Sequence, residues 1–545
     1  MTATDRRLSE LSKKKQELLK ILLEEKKKQQ SANQHTIPLR PQNESVPLSF
    51  VQQRLWFLCK LDPANVAYNV PAGVRLIGHI DIAMLEQSVN EVIRRHESLR
   101  TTFIEIDGQP IQNILPHLTI TLECDDLSML SEQDREHTVQ HRATQEVQKP
   151  FNLEQGPLLR LLLLRTAEDQ HVVLLIIHQI ISDVWSIRVF IRELLVIYQA
   201  FLAEHPSSLA ALPIQYADFA HWQRRWMQGE ILEVQLDYWR RHLADAPKFL
   251  ELPPDRPRPP VQSFWGAKYY TKLDQELTES LKALSREEGV SLFMTMLAAF
   301  KVLLYRYTNS EQVVVATPIA NRTKPELEGM IGFLVNSLVL NTNMHGNPTF
   351  RDLLQRVRST TLGAFAHQDI PFERLVMEMQ NERDMSRNPL YQVMFIFQNL
   401  PDAPLETPRL TMQPIPIETG TTQCDLTLDF MERDGILTGW FDYDSALFDV
   451  ETIIRLEHQY QAILYSIVAD SSCRLWDIPM LTESDKQMLT KFHQPKSYSL
   501  PSMDISTVFT AQVAQTPERV AVVCGAEAIS YAALATRVQH LAAYL

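Results

Sequence analysis

Cysteine is sparse. The five cysteines among 545 residues, Cys59, Cys124, Cys424, Cys473 and Cys524, include no Cys-x-x-Cys pair and have no His-rich companion, so neither a zinc site nor a disulfide framework is expected. A reducing cytoplasm is the natural setting. Long apolar runs are also missing: the longest, residues 158–164 and 172–177, fall far short of the roughly 20 residues that cross a bilayer. The N-terminus is charged rather than signal-like. There is no surplus of positive charge, since 53 Lys and Arg against 66 Asp and Glu give a net charge of -13. That balance argues against a general nucleic-acid or anionic-membrane binder. No short repeat period suggests a solenoid, and no Gly-x-Ser-x-Gly elbow or poised cysteine supplies a nucleophile.

The length favours two to four domains, each able to bury a core. Residues 6–30 carry Leu8, Leu11, Leu18 and Leu22 among lysines and glutamates, a narrow apolar stripe on a charged helix too short to fold alone. Residues 1–35 therefore read either as a solvated leader packed on the next domain or as a docking helix for an upstream protein. Residues 36–47 read as a linker. Two α/β stretches follow, 48–215 and 263–494, joined by a proline-punctuated junction over 216–262. Expected strands lie at 70–77, 118–124, 158–164 and 172–177, then at 267–273, 313–317, 390–397, 426–431 and 436–442. Expected helices lie at 82–96 and 186–202, then at 276–288, 293–308, 350–367 and 452–469.

One junction stands out. The β-branched and leucine run 172–177 fits a strand buried on both faces, and residues 187–198 recur at helical spacing. Between them His178, Gln179, Ser182 and Asp183 fall on a strand-to-helix turn, where polar chemistry is usually displayed.

This turn resembles the His-His-x-x-x-Asp-Gly signature of nonribosomal peptide synthetase condensation domains, with Gln179 at the second His and Val184 at the Gly. Six further segments match that family in order. They are residues 49–58 (with Ser49, Gln52, Arg54 and Trp56), 95–103 (Arg95, His96, Glu97), 216–222 (Tyr216, Asp218, Trp222), 331–337 (Gly332, Asn336), 367–373 (His367, Asp369, Glu373) and 383–390 (Arg387, Asn388, Pro389). The resemblance implies two chloramphenicol-acetyltransferase-like lobes in a V, with an active-site tunnel between them. It implies amide formation between an acyl or peptidyl thioester on an upstream peptidyl carrier protein and the amine of an aminoacyl group on a downstream one. The substrates would ride on the carriers' phosphopantetheine arms, with no cofactor bound by this chain.

The resemblance also assigns roles. Position 179 would lie beside the attacking amine, as a base or as an orienting hydrogen-bond partner. His178 would be mainly structural. Asp183 would pair with an arginine of the other lobe, for which Arg322 is the matching candidate, or serve as a helix N-cap. Ser182, Val184 and Trp185 would support the turn by packing or capping, and Asn336 would be a buried, hydrogen-bonded residue shaping the tunnel. Arg95, His96 and Glu97 read as an ion-paired helix end, and His367 with Asp369 as a structural helix stop.

Glutamine has no usable protonation change, so loss of a base would cost on the order of 10² to 10⁴ in rate. Val184 replaces a glycine that could adopt backbone conformations, or allow approaches, that a β-branched residue resists. If position 179 only orients the amine, the glutamine amide partly substitutes and useful activity survives; if it is a base, which is the leading expectation, the reaction is absent or severely weakened. Two alternatives stand beside it: a non-catalytic scaffold that binds carrier proteins or a tailoring enzyme, and an acyltransferase acting on a soluble acceptor. Beyond a linker at 495–507, residues 508–545 resemble the opening of an adenylation domain, which implies a fragment or an interrupted gene.

Overall fold

The apolar run before His178 is the centre of a six-stranded sheet. The computed structural model describes residues 36–41, 44–379, 384–398, 406–407, 410–481, 483–493, 504–525 and 527–545. The leader helix expected over 6–30, Arg383 and most of the 495–507 linker lie outside the described residues. The chain divides into two compact units, one ending at Met480 and one starting at Leu481.

In chain order the first half holds β1 (Val46–Pro47), α1 (Phe50–Leu61), β2 (Asn69–Ile77), α2 (Ile82–Arg95), β3 (Thr101–Ile106), β4 (Gln109–Ile114), β5 (Glu123–Asp126), α3 (Glu132–Val147), β6 (Leu159–Ala167), β7 (Gln170–His178) and α4 (Val184–Leu202). Helices α5 (Tyr216–Trp226) and α6 (Gly229–His242) lead into the second half. There follow β8 (Gly266–Lys272), α7 (Gln275–Glu287), α8 (Leu292–Thr308), β9 (Gln312–Ile319), β10 (Asn336–Asn343), α9 (Phe350–Ala366), α10 (Phe372–Met379), β11 (Val393–Gln398), β12 (Glu406–Thr407), β13 (Leu410–Ile415), β14 (Leu426–Arg433), β15 (Ile436–Asp444) and α11 (Val450–Ala469).

The first sheet runs β12-β13-β2-β7-β6-β5. Successive strand residues point to opposite faces, so Leu161, Leu163 and Leu175 pack against Val89, Val92 and Phe190 of α2 and α4. Their neighbours Leu162, Leu164 and Leu174 meet Val139, Ala143 and Val147 of α3. That two-sided cover is why residues 172–177 carry no polar side chain. The second sheet runs β10-β9-β11-β14-β15-β8, and Phe395 and Phe430 pack there against Phe300 of α8 and Tyr460 of α11. Its sequence neighbours β12 and β13 leave for the other sheet: β13 pairs antiparallel with β2, Met412 opposite Leu76.

Two expected strands are shorter than their apolar patterns. Over 118–124 only Glu123 and Cys124 enter a strand. Asn90 of α2 instead donates to Ile120 O at 2.9 Å and accepts from Ile120 N at 2.8 Å, and Glu86 accepts from Leu122 N at 2.8 Å. Side chains from a helix thus satisfy the backbone groups that a partner strand would take. Over 390–397 the strand begins at Val393, because Leu390, after Pro389, sits at φ 64° in the left-handed region.

In the second unit, helices Glu483–His493 and Ile505–Gln515 precede an antiparallel strand pair, Val520–Cys524 with Glu527–Ser530, and a final helix Tyr531–Tyr544.

Candidate functional site

Strand β7 ends on His178, one tight turn covers Gln179–Ile181, and α4 begins at Val184. The turn is built from backbone anchors. His178 N donates to Leu158 O at 2.9 Å and Gln179 N to Tyr68 O at 2.8 Å. Buried Ile180 and Ile181 plug it into the core, and Gln52 of α1 donates its side-chain Nε2 to Ile180 O at 3.0 Å.

His178 is 2% exposed. Its Nδ1 accepts from Ile180 N at 3.1 Å, so the proton of the neutral ring sits on Nε2, 3.6 Å from Cys59 Sγ. Burial, with a smaller contribution from the Arg160 charge, pushes its pKa down to about 3. The ring is thus held neutral and engaged on both sides.

Gln179 is half-buried. Its Oε1 accepts from Gln423 Nε2 at 2.9 Å, and the same Nε2 donates to Ala67 O at 3.1 Å. Gln423 lies between β13 and β14, so position 179 is bridged to the second half of the chain.

Asp183 is the most heavily bonded side chain of the turn. Oδ1 accepts from Ser186 N (2.8 Å), Ser186 Oγ (2.7 Å) and Arg322 Nη2 (3.1 Å), and Oδ2 from Arg322 Nη1 (2.9 Å) and Leu334 N (3.1 Å). It is thus both the N-cap of α4 and the partner of Arg322. Arg322 also donates to Ser186 Oγ at 3.0 Å and lies 5.5 Å from the Trp185 ring centre. The Trp185 indole N–H donates to Glu328 O at 2.9 Å. Ser182 is buried, with its hydroxyl 3.4 Å from Asp183 O.

Val184 corrects an expectation. It is the first residue of α4, it is absent from the positive-φ positions, and it is 55% exposed. The backbone of this turn therefore asks for no glycine.

Four of the other motif segments, 49–58, 95–103, 216–222 and 331–337, meet at or behind the turn. Gly332 N donates to Ser186 Oγ at 3.1 Å, and that hydroxyl lies 2.9 Å from Gly332 O. A Cβ at Gly332 would come within 1.9 Å of the Tyr216 ring, so close approach requires glycine here. Tyr216 OH donates to Phe333 O at 2.7 Å and meets Ser49 Oγ at 2.8 Å. Ser98 Oγ donates to Ile331 O at 2.7 Å, while His96 and Arg95 both hold Glu193 at 2.9 Å. Asn336 braces the second sheet: Nδ2 donates to Gln368 O (3.0 Å) and Ile370 O (2.8 Å), and Oδ1 accepts from Phe372 N (2.9 Å). Arg54 lies 3.7 Å from Glu373, donates to Asn388 Oδ1 at 3.3 Å, and stands 5.3 Å from the Phe372 ring centre. Burial raises the Glu373 carboxyl pKa, and Arg54 opposes that rise. His367 donates from Nδ1 to Gly363 O at 2.9 Å, within its own helix end.

Sequence reading missed Ser186 and Gln423. The Asp-x-x-Ser spacing of a helix start could have flagged Ser186. Gln423 carried no signal. Among the described residues no three His, Cys, Asp or Glu side chains gather as a metal site, and no single helix is long and apolar enough to cross a membrane.

The family model described as "Condensation domain" matches residues 42–490. The chain is 43% identical over 515 residues to a linear gramicidin synthase polypeptide of Brevibacillus parabrevis, covering 94% of this chain and 7% of that protein. It is 42% identical over 510 residues to chondramide synthase cmdD of Chondromyces crocatus, covering 93% of this chain and 13% of the relative. The chain thus spans only a small part of these relatives. Among solved structures, the X-domain in complex with OxyB from teicoplanin biosynthesis matches at 27% identity and TM-score 0.75, covering 82% of this chain and 99% of that one. The first condensation domain of the calcium-dependent antibiotic synthetase matches in fold, at 20% identity and TM-score 0.69, over 81% of this chain and all of that one.

Proposed function

Because the chain belongs to the condensation-domain family of nonribosomal peptide synthetases, we propose that it forms an amide bond between two carrier-bound substrates, at a rate lowered by Gln179. The donor is an acyl or peptidyl thioester on an upstream carrier and the acceptor an aminoacyl amine on a downstream one, both on phosphopantetheine arms. They meet in a tunnel between two chloramphenicol-acetyltransferase-like lobes set in a V. The setting is cytoplasmic, residues 1–35 dock an upstream protein, and residues 508–545 open an adenylation domain.

The observation that carries this reading is the intact scaffold of the turn. Asp183 holds Arg322 with two prongs while Gln179 stands half-exposed beside it, bonded to the opposite half of the chain. Amide formation from a thioester needs a neutral amine and a stabilised oxyanion, and neither needs a metal or a covalent enzyme intermediate. His178, with its pKa near 3, is not available as a base at neutral pH. Purified protein given loaded donor and acceptor carriers is expected to give little dipeptide, and Gln179→His to raise the yield at least ~10²-fold. Equal product from both forms would overturn the claim that Gln179 slows the reaction.

A second reading has one specific support, the likeness to an X-domain crystallised with OxyB. A condensation-like scaffold that binds carriers or a tailoring enzyme would give no product from either form.

A further inference from the structure

The orientation of the Gln179 amide is set by a chain of partners that ends on the backbone. Ala67 O can only accept, so the Gln423 atom 3.1 Å from it is the amide nitrogen. The same nitrogen lies 2.9 Å from the Gln179 side chain, and the atom it meets there must be the carbonyl oxygen, Oε1. Gln423 is itself fixed: its backbone O accepts from Gln262 Nε2 at 3.1 Å and from Asn388 Nδ2, and Asn388 accepts from Arg54. The oxygen of Gln179 is therefore occupied by Gln423. Its NH₂ has no protein acceptor among the described residues.

We propose that Gln179 serves as a hydrogen-bond donor to the oxyanion of the reacting thioester, and that Gln423 is the positioning residue that holds it in that role. This rests on the amide-forming reading above. The acceptor ammonium first gives a proton to water. The nitrogen lone pair then forms the C–N bond to the thioester carbonyl carbon, and the C=O π pair moves onto oxygen, where Gln179 Nε2–H donates to it. Collapse restores C=O, breaks the C–S bond and expels the phosphopantetheine thiolate. The surplus proton on nitrogen passes through solvent to that thiolate. A side chain that can only accept at position 179 would oppose the developing charge, whereas an amine-orienting acceptor would favour such a replacement.

The test uses the full chain with N-acetylalanyl-loaded donor and alanyl-loaded acceptor carrier proteins, then with pairs bearing polar, cationic and anionic side chains. Product is read in single turnovers by mass spectrometry. Gln179→Glu, nearly isosteric but accepting only, is expected to lower kcat by ~10²-fold, the usual cost of removing an oxyanion donor. Gln423→Met, which frees the Gln179 amide to rotate, is expected to lower kcat by about 5- to 10-fold with KM unchanged. Gln423→Lys, which restores a donor of similar reach, is expected to recover most of that loss. Urea midpoints check that each variant is folded, and Gln179→Met, neutral and without a donor, replaces the Glu variant if that one unfolds. Activity in Gln179→Glu equal to or above wild type, or Gln423→Met with wild-type kcat, would overturn the proposal while leaving amide formation standing. Absence of product from every pair with both wild type and Gln179→His would overturn amide formation itself.

Discussion

Arg322 and Asp183 form a two-pronged ion pair, 2.9 Å at one prong and 3.1 Å at the other, with both side chains only 2% exposed. A bidentate pair this deep is geometrically specific, and its charges are tolerable only together. Removing one partner strands the other in the interior. Arg322→Ala and Asp183→Ala are each expected to cost roughly 3 to 5 kcal/mol in urea unfolding. Asp183→Ala also removes the α4 cap and the acceptor of Leu334 N, so it should be the worse of the two. The double variant should cost less than the sum. Additive losses would show that the pair is not coupled.

Gly332 is the second test of the scaffold. Its missing Cβ leaves room for the Tyr216 ring, which is 1% exposed and held between Ser49 and Phe333. Gly332→Ala cannot be absorbed by a flexible side-chain end, because the clash is with ring carbons. Overpacking of this kind costs typically about 1 to 3 kcal/mol. Displacement of the 331–334 segment should also loosen Leu334 N from Asp183. Gly332→Ala is therefore expected to lose both stability and any amide product, and Tyr216→Phe to lose stability with less effect on product. A Gly332→Ala protein with the wild-type urea midpoint would remove the argument.

What was legible in the sequence follows from what is local. The strand-to-helix turn could be read because residues 172–177 must be apolar on both faces and because Asp183 stands where α4 needs a cap. A segment match, not a local pattern, pointed to Arg322 as the partner of Asp183, and the two meet although far apart in sequence. Strand periodicity failed where a side chain took over a strand's role, as Asn90 does for Ile120. It failed again at Leu390, whose left-handed backbone interrupts an apolar run. The departure of β13 to the first sheet, and the reach of Gln423 across 244 positions to Gln179, depend on pairing between distant segments. No local pattern encodes that.

Asp429 offers a pH test in the second sheet. It is 5% exposed, accepts from Gln398 Nε2 at 3.1 and 3.0 Å, and has its pKa pushed up to about 7, chiefly by burial. Asp442, also raised, to about 6, adds repulsion, while Gln398 and Lys268 pull the other way. In the unfolded chain a carboxyl titrates near about 3.9. The folded protein therefore holds the proton more tightly, and the stability this contributes is full below about pH 4 and lost as pH rises through 7. Asp429→Asn cannot ionise. Its unfolding free energy in urea relative to wild type should rise between about pH 5 and pH 8.5, by an amount on the order of 2 kcal/mol. A difference that stays constant over that range would mean Asp429 is ionised throughout.

His178 has the opposite sign. Its folded pKa lies near 3, while an unfolded histidine titrates near about 6.5. Between those values the unfolded chain binds the extra proton, so stability falls as the solution is acidified from about pH 6.5 and is undiminished above it. The expected slope is about 1.4 kcal/mol per pH unit. His178→Asn can still accept from Ile180 N through its side-chain oxygen but has no titration of its own. At about pH 7.5 it should be the less stable protein, having lost the ring packed near Tyr68 and Phe151. By about pH 4.5 the wild type should have lost roughly 2 to 3 kcal/mol that the variant keeps, so the gap narrows or inverts. Urea unfolding of both proteins at the two pH values measures this directly. A gap of the same size at both would mean that His178 titrates alike in the folded and unfolded chains, and that the turn does not depend on a neutral imidazole.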